Sequence, residues 1–446
     1  MPATAALPPG PRGPVPIREI RILRRDVVGF LKHMANNYGD LSCVRIGHLL
    51  IYIVSHPELV HETLVTRNES LQKSWIFGNA KDALGEGMLT SSGDFHRHQR
   101  KLIRPALHHE RVHAYAQTMI RMADDIARDL PNETVVDMDA VMRSITLPVV
   151  ADTLFGADLA AETGKIGTAI TQLTEVFNRA KSPFGTLLNY VPILPLNRRV
   201  KESMKTIDDA IYRIISQRRE SADEHDDLLS MLLAAQDAGG ASMHDSMVRN
   251  EVLALMLAGH ETTAITLTWA WYVLAQHPEI EAEFHKELED VLGDRLPVPD
   301  DLKRFTFTRK VVAETIRYYP AFYLVLRSAA EPCTLGGYDV RPGTIIFVSV
   351  YNVHHDPRFY PDPERFDPHR WTPEMKEQLP RYAYCGFGGG SHACLGESFA
   401  WTEAMLVLAV LGQRWKARIA PGHTVGLNPL VNLRPRGGMP MILTRR

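Results

Sequence analysis

The residues best suited to chemistry lie in the stretch FGGGSHACLGESFAW, residues 387–401. Cys394 follows three consecutive glycines and precedes an apolar segment with helical character. A run of glycines indicates a loop that adopts positive φ or lets another group approach its backbone closely. The start of a helix favours an anion, so a thiolate is stabilised there. A buried structural cysteine is the commoner fate of a free cysteine, but it needs no glycine-rich approach, whereas a sulfur bound to a flat cofactor does.

A second candidate is the sequence AGHETT, residues 258–263, in the middle of an apolar segment. Small residues at Ala258 and Gly259 leave room on one face, while Glu261 and Thr262 add an acid and a hydroxyl. One interpretation is that Gly259 only allows close helix packing and that Thr262 bonds back to its own helix. The other is proton handling, because a buried acid is costly unless it is paired or used.

The sequence ETIR places Glu314 and Arg317 three residues apart on one helix face, where they can form a charge-assisted bidentate pair. Most such pairs are solvated and contribute little. Here the apolar flanking residues predict a buried helix, and the later PERF sequence supplies a third charge, Arg365. We interpret this set as a structural clamp without a catalytic role.

Four further side chains are candidates for binding an anion. His96 and Arg100 are four residues apart and so project together from a helix. Arg327 and His392 add a cation and a hydrogen-bonding ring, the latter two residues before Cys394. Each alone is more typical of a protein surface. Converging on one pocket, the four donors would suit the dianionic edge of a cofactor.

Helical periodicity dominates the elements that must position these residues. The longest periodic segment begins at Ser246, runs for roughly thirty residues and is apolar on nearly all faces, which predicts a helix through the centre of the protein. β-rich patterns predict a hairpin at 41–55 and two strands within 333–353. Shorter helices are predicted over 27–38, 111–130, 208–222, 225–236 and 278–293, and directly after Cys394. The chain is therefore predicted to be mainly α with a small β-rich lobe.

Composition limits the possible partners and compartments. Lys and Arg number 50 and Asp and Glu 52, a formal net charge of -2 that gives no electrostatic reason to expect nucleic acid. The four cysteines are too few and too scattered for a disulfide framework and form no CxxC pair, which favours a reducing cytoplasm. No stretch has the ~18 uncharged apolar residues needed to span a bilayer, so we expect no transmembrane anchor.

Taken in order along nearly the whole chain, these motifs resemble those of the cytochrome P450 superfamily, the haem-thiolate monooxygenases, and its soluble bacterial members in particular. The family's F-x-x-G-x-R-x-C-x-G loop is matched by Phe387, Gly390, Cys394 and Gly396. Its central-helix signature is matched by Ala258, Gly259, Glu261 and Thr262, its E-x-x-R by Glu314 and Arg317, and its P-E-R-F by residues 363–366.

Two positions depart from the family pattern. His392 replaces the arginine of the cysteine loop, and His96 replaces the tryptophan of W-x-x-x-R, in which Arg100 is retained. Both histidines can still donate a hydrogen bond to a haem propionate. The departures alter that contact without changing the expected iron ligand.

The resemblance implies a single P450 haem domain over residues 1–446, with a Pro-rich lead-in at 1–17 and a long central helix crossing over haem b. It implies that Cys394 ligates the iron and that Glu261 and Thr262 deliver protons to dioxygen. Electrons are expected from a separate ferredoxin and ferredoxin reductase or a flavodoxin-type donor, since no reductase-like segment is present. The residues expected around the haem are His96, Arg100, Ala258, Gly259, Arg327, Phe387, Gly388, His392 and Gly396.

The resemblance also implies an apolar pocket for a lipophilic small molecule, such as a fatty acid or a terpenoid. The stretch at 184–199 is unusually apolar and ends in arginines, like the entrance of members that act on such substrates, although an ordinary packed corner has the same pattern. The residues expected to line the pocket are Trp75, Phe77, Met88, Leu89, Phe322 and Leu324.

Two other haem-thiolate functions compete with oxygenation. A sensor that only binds a ligand needs no proton relay, and an enzyme that rearranges a hydroperoxide has no use for the threonine. The Glu261 and Thr262 pair therefore favours the monooxygenase. A metal hydrolase is excluded, because the sequence contains no HExxH motif and no Cys/His cluster.

Overall fold

The computed structural model describes residues 7–13, 16–74, 81, 84–156, 164–170, 172, 195–221, 227–235 and 243–446. Its contacts divide the chain into two compact units. Unit 1 consists of Met1–Gly78, Ala313–Cys394 and Leu427–Arg434, and unit 2 of Asn79–Val312, Leu395–Gly426 and Pro435–Arg446.

Helices form most of the described structure, as the periodicity predicts. In chain order they are α1 Ile17–Arg25, α2 Val27–Tyr38, α3 Pro57–His61, α4 Gly93–Ile103, α5 His109–Asp129, α6 Met138–Phe155, α7 Pro195–Glu220, α8 Leu228–Ala234, α9 Asp245–Gln276, α10 Pro278–Leu292, α11 Thr306–Tyr318, α12 Val350–His354, α13 Pro373–Gln378 and α14 Glu397–Arg414. A π-helical turn, Glu62–Thr66, and short 3-10 segments, among them Gly390–His392, connect some of them. Among the described residues, no helix combines the length and the apolarity required to cross a bilayer.

The strands are short and mostly belong to unit 1. They are β1 Leu41–Ile46, β2 Leu49–Val54, β3 Leu71–Lys73, β4 Thr134–Asp137, β5 Val325–Ala329, β6 Cys333–Leu335, β7 Tyr338–Val340, β8 Ile345–Val348, β9 Trp415–Ile419, β10 Leu427–Pro429, β11 Leu433–Pro435 and β12 Pro440–Arg445. A five-stranded sheet in unit 1 has the order β1-β2-β8-β5-β3. A three-stranded sheet in unit 2 has the order β4-β12-β9.

The predicted hairpin is confirmed as β1 and β2. These strands pair antiparallel, from Leu41 opposite Val54 to Ile46 opposite Leu49. Gly47 closes the two-residue turn with φ 62°, the left-handed conformation that favours glycine. The hairpin contributes to two buried clusters of unit 1, with Tyr52 in one and Ile53 in the other.

The long helix predicted from Ser246 is confirmed as α9, which has 32 residues. Its first turn is capped by the His244 side chain, which accepts the Ser246 N–H. Most of its residues are buried, including the two tryptophans Trp269 and Trp271. Neighbouring α6 packs so closely that Thr146 Oγ1 donates to His260 O at 3.1 Å. This helix pair forms part of the core of unit 2.

Candidate functional site

The glycine-rich loop before α14 folds back on itself in unit 1. The Cys394 N–H donates to Phe387 O and the Gly388 N–H donates to Cys385 O, both at 2.9 Å. Gly388 and Gly390 have φ of 71° and 67°. A Cβ on Gly390 would lie 1.9 Å from Leu64 O, a backbone atom that cannot move aside easily. Both reasons for glycine that the sequence suggested, positive φ and a close backbone approach, are therefore present in this loop.

The loop leaves Cys394 exposed, while Cys43 and Cys385 are buried and Cys333 is partly buried. Nine residues before Cys394, Cys385 donates its backbone N–H to His354 Nε2 at 2.9 Å. Burial raises the pKa of the Cys385 thiol to about 12, so this sulfur stays protonated and inert. Cys394 is thus the exposed cysteine in this part of unit 1, three residues before the start of α14.

Arg327 on β5 is a buried cation with the chemistry to bind an anion. Its side chain is only 6% exposed, and burial lowers the pKa of its guanidinium to about 10. Nη1 donates to Leu326 O, but within the described residues Nε has no partner and no carboxylate forms an ion pair with this arginine. A buried cation without a counter-ion is costly. The negative charge of a haem propionate would satisfy this side chain.

The other three predicted anion donors divide between the two units. His392 ends the 3-10 segment of the cysteine loop in unit 1. His96 and Arg100 lie one turn apart on α4 in unit 2, where His96 is buried and Arg100 is partly buried. All four donors therefore lie on ordered elements of the protein, and their convergence on one group stays a prediction.

The middle of α9 carries the predicted oxygen-handling residues in unit 2. Thr262 Oγ1 donates to Ala258 O at 2.8 Å, which leaves the hydroxyl oxygen able to accept a hydrogen bond. Glu261 is buried at 6% exposure. A Cβ on Gly259 would lie 2.9 Å from Val150 Cγ2 on α6. The packing interpretation of Gly259 is therefore supported, and its role in leaving space for dioxygen stays a prediction.

The pocket residues that the structure describes are not part of the deep core. Leu89 and Phe322 are 37% and 42% exposed. Met88 is partly buried, and Leu324 packs partly against the core that includes Tyr351. Trp75, Phe77 and the apolar stretch at 184–194 lie outside the described residues.

The Glu314 and Arg317 pair is buried as predicted, but the prediction that Arg365 supplies the third charge is wrong. Arg317 donates to both Glu314 oxygens, at 2.8 and 2.9 Å, and the second cation is Arg370, whose Nε donates to Glu314 Oε1 at 2.9 Å. Arg365 contributes only its carbonyl oxygen, which accepts from both guanidinium groups, while its own side chain is exposed. The chain turns after Arg365 and directs the Arg370 side chain towards Glu314. The spacing of residues in PERF does not predict this turn.

Sequence reasoning missed several residues of these networks. Trp371 Nε1 donates to Glu314 Oε2 at 3.0 Å, and His354 Nε2 accepts a hydrogen bond from the Cys385 backbone N–H. Glu251 on α9 is 1% exposed and accepts the Met88 N–H. An acid within an apolar helix was the signal that singled out Glu261, and the same signal applied at Glu251.

Known proteins with similar sequences and structures agree with this geometry. Residues 8–431 match the model of the family Cytochrome P450, and the chain belongs to that family. It is a P450 monooxygenase, and its site is built for a haem.

Similar proteins come from bacteria of the genus Streptomyces. Cyclooctatin synthase of Streptomyces melanosporofaciens is 36% identical over 400 residues, 89% of this chain and 87% of that protein. Cyclooctat-9-en-7-ol 5-monooxygenase of the same organism is 35% identical over 87% of this chain and 84% of that protein. Pentalenene oxygenase of Streptomyces avermitilis is 33% identical over 87% of this chain and 86% of that protein.

Solved structures confirm the fold. The cytochrome P450DA heme domain superposes with a TM-score of 0.87 at 22% identity, covering 99% of this chain and 98% of that one. The retinoic acid-bound cyanobacterial CYP120A1 superposes with a TM-score of 0.86 at 23% identity, covering 99% and 100%.

Proposed function

We propose that this protein hydroxylates a terpenoid with haem b ligated by Cys394. The observation that carries the haem assignment is the glycine-rich loop, in which Cys394 is an exposed residue whereas Cys385 is buried. A thiolate-ligated haem supplies activation of dioxygen for insertion of one oxygen atom into a C–H bond. The terpenoid assignment is supported by relatives named for cyclooctatin and pentalenene.

We assign the surrounding residues to two tasks. Arg327, His392, His96 and Arg100 are assigned to the propionates. Phe387, Gly388, Gly396, Ala258 and Gly259 border the ring. Arg327 has the strongest support, since its buried guanidinium lacks a counter-ion among the described residues.

Glu261 and Thr262 move the protons. The Thr262 hydroxyl donates to Ala258 O and keeps its oxygen lone pairs as acceptors, so it can hold a water or an oxygen ligand beside α9. Glu261, one residue earlier and buried, is the nearest acid in the sequence and serves as the proton source. A sensor or a hydroperoxide-rearranging enzyme would need neither group.

The substrate pocket is apolar and excludes water from the reacting carbon. Met88, Leu89, Phe322 and Leu324 are the described residues that we assign to it, together with Trp75 and Phe77. Apolar side chains that remain exposed, as Leu89 and Phe322 do, are typical of the lining of a ligand site. A hydrocarbon substrate needs no charged side chain in the pocket that binds it.

Electrons come from a separate ferredoxin with its reductase, or from a flavodoxin-type donor, and the reaction takes place in the cytoplasm. The four cysteines, all within the described residues, form no disulfide with one another, which supports a reducing compartment. A groove in unit 2 is lined by the basic residues Lys101, Arg104, His108 and Arg111 and by one acid, Glu110, and its excess of basic side chains offers positive charge to an acidic electron-transfer protein.

The carbon monoxide spectrum of the reduced protein tests the iron ligand. We expect the strongly red-shifted Soret band of thiolate ligation, loss of that band in Cys394→Ala, and its retention in the matched control Cys385→Ala. The opposite pattern would show that Cys385 is the ligand, and retention in both variants would exclude a cysteine ligand at either position.

Titration of the ferric protein tests the substrate class. A bicyclic or tricyclic sesquiterpene hydrocarbon should displace the iron-bound water and shift the Soret band at micromolar concentration. A straight-chain fatty acid of similar carbon number is the comparison. Tighter binding of the fatty acid would overturn the terpenoid assignment and leave the haem assignment intact.

A further inference from the structure

A short loop of unit 2, residues 85–89, lies directly against the first half of α9. A Cβ on Gly85 would lie 2.1 Å from the Asn250 side chain, and one on Gly87 would lie 3.3 Å from a Glu251 carboxylate oxygen. Asn250 Nδ2 donates to Glu86 O at 3.3 Å. The two glycines therefore let the loop backbone approach α9 more closely than larger residues would allow.

Glu251 on α9 binds the backbone of this loop. The Met88 N–H lies 3.0 Å from both carboxylate oxygens, and the Glu251 side chain is 1% exposed. A buried carboxyl group is costly unless its oxygens are hydrogen-bonded, and the Met88 N–H supplies such a bond. Glu251 therefore holds the backbone of Met88 at a fixed place on α9.

Hydrogen bonds within the loop make it a single rigid piece. Thr90 Oγ1 donates to Gly85 O at 2.7 Å and accepts from the Gly87 N–H at 3.1 Å. The Thr90 and Ser91 N–H groups both donate to Gly87 O. Fixing Met88 thus also fixes the adjacent Leu89, the large apolar residue that stays 37% exposed.

Helical periodicity relates this attachment to the oxygen-handling residues. At 100° per residue, positions 4, 7 and 11 after Glu251 return to the same face of α9, and these are Leu255, Ala258 and Thr262. A rise of 1.5 Å per residue places Thr262 about 16 Å further along the axis. The loop is therefore seated on the same face of α9 that carries Ala258 and Thr262.

We propose that Glu251 is a positioning residue that determines specificity: by holding Met88, it sets where Leu89 stands in the substrate pocket. The inference rests on the proposed function, in which Met88 and Leu89 line that pocket. Glu251 itself does not touch the haem, the oxygen or the substrate. Its removal should change the shape of the pocket and leave iron ligation unchanged.

Azole binding to the ferric holoprotein separates these two effects. Imidazole binds iron and is small enough to report ligation alone, whereas 4-phenylimidazole must also fit the pocket. We expect Glu251→Ala to raise the Kd of 4-phenylimidazole about tenfold, in line with the cost of leaving the Met88 N–H without its acceptor, and to leave the Kd of imidazole within about twofold. Glu251→Gln keeps an acceptor oxygen and should retain most of the 4-phenylimidazole affinity.

Backbone exchange and a second variant keep the test decisive. Amide hydrogen exchange at residues 85–91 should accelerate in Glu251→Ala and stay near the wild-type rate in Glu251→Gln. Should Glu251→Ala fail to fold, Gly87→Ala disturbs the contact from the loop side and should weaken 4-phenylimidazole selectively.

Unchanged 4-phenylimidazole affinity in the folded variants would overturn the proposal. So would equal damage in the Gln and Ala variants, because the acceptor oxygen would then be irrelevant. A parallel loss of imidazole and 4-phenylimidazole binding in the variants would place Glu251 in haem binding, which also contradicts the proposal. Absence of any haem signal in the wild-type protein would instead contradict the proposed function.

Discussion

At the residue scale, His354 is a buried imidazole whose two nitrogens have opposite roles. Nε2 accepts the Cys385 N–H at 2.9 Å, so Nδ1 carries the proton and donates to Arg317 O at 3.2 Å. The ring also stacks on Tyr384, with centroids 5.3 Å apart. A second proton on the ring would have to bind to Nε2. It would then face the Cys385 N–H, and the hydrogen bond that Nε2 now accepts would be lost.

This arrangement predicts how acid affects stability. Burial, together with the positive charge of Arg317, lowers the pKa of His354 from 6.5 to about 3. The folded state therefore binds fewer protons than the unfolded state between these values, and the stability from neutral His354 is lost as the pH falls from 6.5 towards 3. At one pKa unit per 1.4 kcal/mol, the full loss is on the order of 5 kcal/mol.

The check is the melting temperature of the holoprotein from pH 7.5 to pH 4.5. His354→Gln can donate and accept in place of the ring without gaining a charge, so its melting temperature should fall less steeply on acidification than that of the wild type. The exposed His48→Gln serves as the matched control and should follow the wild type. Parallel curves for all three proteins would show that His354 does not titrate in this range.

Sequence reasoning reached some residues of the site and not others, for physical reasons. Cys394 could be separated from Cys385 because a glycine run marks a special backbone, and the structure places positive φ there. Arg370 could not be separated from Arg365, since both follow Glu314 at long range and a reversal of the chain decides which side chain turns inward. Long-range choices of this kind depend on tertiary structure.

At the scale of elements, Glu314 joins α11 to the segment that precedes α13. Its carboxylate accepts from Arg317, from Arg370, from Trp371 Nε1 and from the Asp367 N–H. Glu314 and Arg317 are completely buried. Such a pair is costly to break, because the remaining charge is left without compensation.

This network predicts unequal effects for the two arginines of the segment. Arg370→Ala removes a buried donor to Glu314 and should lower the free energy of unfolding by about 3 to 5 kcal/mol. Arg365→Ala keeps the carbonyl oxygen that the network uses and should cost no more than about 0.5 kcal/mol. Urea denaturation of the two variants gives the comparison. A larger loss in Arg365→Ala would restore the original assignment of the third charge.

The predictability of elements follows their periodicity. The helix predicted over 27–38 matches α2, and α9 was predicted to within one residue at its start, because each has a clear apolar pattern. Helix α6 was missed, since Pro148 interrupts a segment that is buried on most sides. Strands β9 to β12 were missed because most are short and their partners are distant in sequence.

At the scale of the whole molecule, the net charge of -2 conceals a local excess of positive charge. Arg97, His98, Lys101 and Arg104 are exposed along α4 and the turn that follows it. Long-range attraction to an acidic protein depends on such local fields rather than on net charge. The proposed electron donor should therefore bind here in a salt-dependent manner.

Charge reversal tests this surface. We expect the double variant Lys101→Glu and Arg104→Glu to be reduced by an acidic ferredoxin about tenfold more slowly than wild type at low salt, with the difference shrinking as salt rises. The matched control, Lys201→Glu and Lys205→Glu on α7, carries the same charge change at exposed positions. Stopped-flow reduction under carbon monoxide measures the rate. Equal rates for both double variants would place the donor elsewhere.

The division into two units has a consequence for recombination. Unit 1 draws on chain from the amino terminus to residue 434, in three stretches. Any single crossover with a relative's gene before that point therefore builds this unit from two parents. Paired exchanges at the boundaries 78/79 and 312/313 keep unit 1 whole but divide unit 2, so a chimera with a single ancestry in each unit must also exchange residues 395–426 and 435–446.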